Sequence, residues 1–118
     1  MKTERVSYSV SGLRCSGALI YDEAVRAQHP LLLMAPNWLG ITPTALEVSR
    51  DLAGHGYVVF TADMYGEGNQ PKGTENPMEF LADIMKNAAE TRRRIGAAFD
   101  TMTKEAQSRG IGDTKRRA

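Results

Sequence analysis

Two short apolar runs constrain this chain more than anything else in it. Leu31, Leu32, Leu33, Met34 and Ala35 form the first; Tyr57, Val58, Val59, Phe60, Thr61 and Ala62 form the second, with a helix-length segment between them. Short runs of this kind, bounded by turn residues, suit strands buried on both faces of a parallel sheet, so the pair reads as a β-α-β unit. Each run breaks at its C-terminal end into a loop, the first through Pro36, Asn37, Trp38, Leu39 and Gly40, the second through Asp63, Met64, Tyr65 and Gly66. The carboxyl edge of an open α/β sheet is where ligands usually bind. Functional chemistry is therefore expected around Asn37, Trp38, Asp63 and Tyr65.

The flanking segments fit the same layout. Residues 4–11 and 13–22 are extended and separated by little more than Gly12, and Val6, Tyr8 and Val10 alternate with Ser7, Ser9 and Ser11, as in a hairpin with one wet face. Residues 44–53 read as the crossover helix. Thr44 and Glu47 have capping-box spacing, Ala45, Val48, Leu52 and Ala53 share a face, and Gly54 or Gly56 can end it. Residues 67–75 have Gly and Pro but no apolar side chain and read as a loop. Asn76, Pro77 and Glu79 then open a helix whose apolar positions, Leu81, Ile84, Met85, Ala88, Ile95, Phe99 and Met102, keep helical spacing to about Gln107. That length is unusual for a globular helix, and a break near Asn87 is expected.

Composition bounds the function classes. With 118 residues, 42% hydrophobic and 25% charged, the chain fits one domain over residues 1–118. Its apolar runs fall far short of the roughly 20 residues that cross a bilayer, and no apolar segment follows Met1 and Lys2 as in a signal peptide, so no membrane partner and a cytoplasmic location are expected. Cys15 is the single cysteine, which excludes an intramolecular disulfide. A net charge of +1 gives no argument for a nucleic-acid partner.

Most reactive side chains read as structural. His29 and His55 fall in polar loops, and Cys15 lies mid-hairpin without a paired histidine, as a small packing residue does. Together these three match no metal-ligand spacing, so no metal is expected. Gly66 and Gly68 do not complete a dinucleotide or phosphate-binding pattern, and no cofactor is implied. Arg92, Arg93 and Arg94 read as a solvated helix face, with a carboxylate-binding Arg as the less common alternative. Asp63 has two readings, binding substrate or hydrogen-bonding nearby backbone; the second is commoner for a carboxylate that follows a strand.

The sequence P-N-W-L-G after a buried strand, followed by G-H-G-Y-V-V-F-T-A-D-M-Y-G-E-G, resembles the N-terminal half of the dienelactone hydrolase family of α/β-hydrolases. Residues 113–116 resemble the lead-in to that family's nucleophile strand. The resemblance implies a partial α/β-hydrolase fold: an N-terminal hairpin, a parallel β-α-β unit and a long C-terminal helix. It also implies ester or lactone hydrolysis through a Cys or Ser nucleophile in a G-x-C-x-G or G-x-S-x-G elbow, with an Asp and a His later in the chain. None of these is present up to Ala118, so the chain reads as a truncated hydrolase, inactive alone, or as a non-catalytic assembly or binding module that uses an exposed sheet edge.

By the same resemblance, the backbone N–H of Trp38 is one oxyanion donor, against the alternative that Asn37 only makes a turn and Trp38 packs under the following helix; Asn37, Asp63 and Tyr65, at the strand ends, are the candidate substrate-binding residues. Many members carry Glu where this chain has Asn37, and that carboxylate helps activate a cysteine nucleophile; Asn cannot carry the charge. Since the strand at 31–35 lies next to the nucleophile strand in the family's sheet, its edge is expected to be open. The implied partners are then a complementing C-terminal half or a second copy, in a homodimer paired through that edge.

Overall fold

The computed structural model describes residues 1–24, 29–36, 39–69, 76, 78–79, 82 and 86–118. Among the described residues, the complete strands and helices follow in the order β1 (Lys2–Val10), β2 (Leu13–Tyr21), β3 (Pro30–Met34), α1 (Pro43–Gly54), β4 (Val58–Thr61), α2 (Ala88–Arg109) and β5 (Asp113–Arg117). They make one sheet in the order β1-β2-β4-β3-β5. The first two pairings are antiparallel, and β3 is parallel to both β4 and β5. This is the expected hairpin joined to a parallel β-α-β unit.

The hairpin closes in register from Lys2 opposite Tyr21 to Val10 opposite Leu13, which leaves Ser11 and Gly12 as a two-residue turn. Both take positive φ, 51° and 79°, as the tight turns that match strand twist require. Val6 and Val10 are buried while Ser7 and Ser9 are exposed, so β1 keeps one wet face.

The sheet buries a different cluster on each face. On the α2 side, Leu19, Leu31, Val58 and Phe60 pack against Ala98, Met102 and Ala106 of the helix. On the α1 side, Ile20 and Val59 meet Ala53, with Leu32, Met34, Leu46 and Leu52 around them. The helical residues facing the sheet recur every four positions, 45, 49 and 53 in α1 and 98, 102 and 106 in α2. A polar pair is sealed into the α1 interface: Ser49 Oγ lies 2.7 Å from Thr61 Oγ1 and donates to the Ala45 carbonyl or to Thr61, both residues being fully buried.

Several expectations change. Thr42, not Thr44, caps α1: its Oγ1 accepts the Ala45 N–H at 3.2 Å and Pro43 occupies the first turn. The buried face of α1 runs through Ala45, Ser49 and Ala53, four residues apart, which leaves Val48 48% exposed. Ile95 of α2 is likewise exposed. The break near Asn87 is present: Asn87 lies outside helical geometry, with φ −111° and ψ 44°, and its carbonyl accepts the Thr91 N–H. Asn76 opens the preceding turn through bonds to Met78 and Glu79.

The edge of β3 is not open. Ala118 donates to the Leu31 carbonyl and accepts the Leu33 N–H, and Asp113 donates to the His29 carbonyl, so residues 113–118 occupy the side on which pairing with a second copy was expected. The residues resembling the lead-in to a nucleophile strand thus form a strand themselves. Among the described residues, no helix is long and apolar enough to cross a membrane.

Candidate functional site

Because β3, β4 and β5 are parallel, their carboxyl ends lie at one end of the sheet. The Ala62 N–H donates to the Met34 carbonyl at 2.8 Å, which holds the chain together where both strands give way to loops. Asn37 and Trp38, the expected oxyanion loop, lie outside the described residues. Of the four site residues read from the sequence, the structure brings together Asp63 and Tyr65.

Asp63 is 3% exposed, and its carboxylate is fully engaged with backbone. Oδ2 accepts the Ser16 N–H at 2.9 Å; Oδ1 accepts the Tyr65 and Gly66 N–H groups at 3.0 and 2.9 Å. A carboxylate offers about four lone-pair directions, and three donors inside a buried turn use most of them. The side chain therefore ties the loop after β4 to the neighbouring strand β2. Gly66 completes the turn with φ 101°, and a Cβ there would stand 2.6 Å from Leu13 Cδ1, so the position excludes both the strain and the bulk of another residue.

Tyr8 backs the same turn. Its hydroxyl accepts the Asp63 N–H and donates to the Asp63 carbonyl, and its ring lies 5.9 Å from that of Phe60. Burial, followed by the nearby Cys15 and Asp63, pushes its phenol up to about 12. Tyr65 is half-buried at the loop surface, and burial raises its phenol too. Cys15 is wholly buried, with its thiol pushed up by burial and then by Asp63, the opposite of an activated nucleophile. His55 lies in the exposed turn after α1, its Nδ1 2.7 Å from the Asp51 carbonyl oxygen. Among the described residues, no group of His, Cys, Asp or Glu could hold a metal ion.

Arg94, grouped in the sequence with Arg92 and Arg93 on a solvated face, instead turns toward the β4 loop. Its Nη1 donates to the Met64 carbonyl at 2.7 Å and its Nε to Glu90 at 3.2 Å, whereas Arg93 remains 58% exposed. The signal was its spacing, since position 94 continues the stripe of 98, 102 and 106 that faces the sheet. A cleft of about 420 Å³ opens beside the turn, lined by Arg5, Ser16, Asp63, Gly66, Glu67 and Gly68.

Comparison with known proteins gives this geometry a family. A structure named m3DLH is 26% identical with a TM-score of 0.86, over 98% of this chain and 47% of that one. A dienelactone hydrolase-like promiscuous phosphotriesterase from metagenomic libraries is 24% identical with a TM-score of 0.83, over 98% and 46%. A cold-adapted esterase from an Arctic intertidal metagenomic library is 18% identical with a TM-score of 0.67, over 88% and 45%. The chain thus spans about half the length of these solved relatives. No curated protein sequence matches it. Residues 17–115 match the dienelactone hydrolase family, and with the partial α/β-hydrolase sheet built by those residues, the chain belongs to that family.

Proposed function

We propose that this chain supplies the oxyanion side and one wall of a cytoplasmic ester or lactone hydrolase whose nucleophile, base and acid come from a complementing segment. The 118 residues contain no G-x-C-x-G or G-x-S-x-G elbow, and Cys15 and both histidines are remote in kind from catalytic groups. The observation that carries this reading is β5. It runs parallel beside β3, and Ala118 is bonded between Leu31 and Leu33, so an elbow continuing from this strand would emerge at the carboxyl end of β3. By the family resemblance, the Trp38 N–H would serve as oxyanion donor and Asn37 and Tyr65 would contact substrate, with Asp63 holding the turn.

The test is complementation. The chain is co-expressed with the part of a dienelactone hydrolase relative that follows the strand matching β5, and hydrolysis of p-nitrophenyl acetate is measured. Turnover is expected only with both pieces. Trp38→Pro should lower it by about 100-fold by deleting the donor, while Trp38→Ala, which keeps the N–H, should retain it. Saturable turnover by either piece alone would overturn the reading.

A second reading, a non-catalytic module that assembles through a sheet edge, draws on one feature. Ala118 directs its backbone polar groups to β3, so strand alternation turns those of Arg117 toward the outer edge.

A further inference from the structure

The loop after β4 is gripped from two sides. The inner grip is the Asp63 carboxylate on the Tyr65 and Gly66 N–H groups. The outer grip comes from α2, where Arg94 Nη1 holds the Met64 carbonyl at 2.7 Å. The guanidinium is itself oriented: Nε donates to Glu90 Oε1 at 3.2 Å, and Glu90 Oε2 accepts from Arg93 Nε at 2.9 Å and from Ser11 Oγ at 3.3 Å. The Arg94 and Glu90 side chains are 27% and 23% exposed, so this pair is more shielded than an ordinary surface ion pair. Two α2 residues thus link the hairpin turn, the helix and the β4 loop, and the carbonyl they fix immediately precedes Tyr65.

We propose that Arg94 is a positioning residue: anchored on α2 through Glu90, it fixes the Met64 carbonyl and thereby places Tyr65 as a wall of the ester-binding site. The proposal rests on the hydrolase reading for what the wall contacts. A rigid planar fork can hold Glu90 and Met64 at once, and Lys, a single flexible point charge, can do so only in part. A loosened wall weakens ground-state and transition-state binding alike, which appears in KM rather than kcat.

Two measurements test it on Arg94→Met and Arg94→Lys. In the 118-residue chain, amide hydrogen exchange of Tyr65 and Gly66 should accelerate about tenfold in Arg94→Met and less in Arg94→Lys, with α1 amides such as Leu46 unchanged. Unchanged exchange at Tyr65 and Gly66 overturns the anchoring role, and equal acceleration in α1 shows only a general loss of stability and also overturns it. In the complemented hydrolase, KM for p-nitrophenyl esters should rise about tenfold at nearly constant kcat, with partial rescue by Lys. A fall in kcat at constant KM overturns the role of a binding wall. No turnover from the wild-type pair overturns the hydrolase reading and the wall with it, while the exchange result still decides whether Arg94 sets the turn.

Discussion

The Tyr8 hydroxyl engages both backbone polar groups of Asp63, accepting the N–H at 3.1 Å and donating to the carbonyl at 3.3 Å. One side chain of the edge strand β1 thereby reaches across β2 to the point where β4 ends. Tyr8→Phe keeps the ring against Phe60 but leaves that N–H and C=O without the hydroxyl. Stability should fall by about 1 to 3 kcal/mol in urea unfolding. No loss would mean that water replaces the hydroxyl at no cost.

The same tyrosine gives a pH dependence at the alkaline end. Its phenol is raised in the folded chain, from 10.0 to about 12, so the unfolded chain ionises first. Its contribution to stability is whole below pH 10.0 and is lost as pH rises through about 12. Ultraviolet titration of phenolate absorbance should show one tyrosine ionising late, and Tyr8→Phe should remove that step.

Glu4 sets the acid end. Its Oε2 accepts from both Arg109 Nη2 and Nε, at 2.6 and 2.9 Å, which ties β1 to the last turn of α2. Hydrogen bonds from Arg109 and then Lys2 lower its pKa from 4.5 to about 2. For a depressed carboxyl, the stabilisation is present above 4.5 and is lost as pH falls through about 2. Glu4→Gln should flatten the stability profile across that window; a profile as steep as wild type would place the acid sensitivity elsewhere.

Gly17 tests the packing of the hairpin on the central strand. A Cβ there would overlap the Phe60 ring and stand 3.0 Å from the Thr61 carbonyl oxygen, and Phe60 is fully buried. Gly17→Ala should cost about 1 to 3 kcal/mol through overpacking. Thermal or urea unfolding measures it directly, and a neutral result would show that the ring can turn aside.

The sequence was legible where side-chain pattern and backbone demand coincide. The runs at 31–35 and 57–62 are apolar because the strands are covered on both faces, and Val6, Tyr8 and Val10 alternate because β1 is covered on one. Where pairing alone carries an element, the pattern is silent. β5 has no apolar residue in Asp113–Arg117, is at most half-buried, and is held by backbone bonds to His29, Leu31 and Leu33. The α1 cap was placed two residues late because Thr44 and Glu47 have capping-box spacing; Pro43, suited to a first turn, was the cue that favours Thr42. The Ser49 and Thr61 pair could not be read at all, since two hydroxyls are tolerable in a core only once the fold brings them within 2.7 Å. Arg94 and Arg92 are equally charged, and only the four-residue stripe through Ala98 separates them.

The covered edge of β3 changes what self-association should look like. The sheet ends in β1 on one side and β5 on the other. Pairing with a second copy on the β3 side would use the outer edge of β5, where Lys115, Arg116 and Arg117 are exposed in succession. An antiparallel two-fold pairing would set these cations against their own copies, and charged edge strands of this kind resist such contacts. Arg116 is offset in part by Asp113 at 3.1 Å, and Arg117 rests over the Phe99 ring at 5.1 Å, so Lys115 and Arg117 contribute most of the repulsion. In sedimentation at micromolar concentration, a dimer through β5 should therefore be absent at low ionic strength and form only as salt screens the charges. Arg117→Glu, which turns a repulsive contact into an attractive one opposite Lys115, should promote dimer at low salt. A wild-type dimer that weakens as salt rises would show that the copies meet through some other surface.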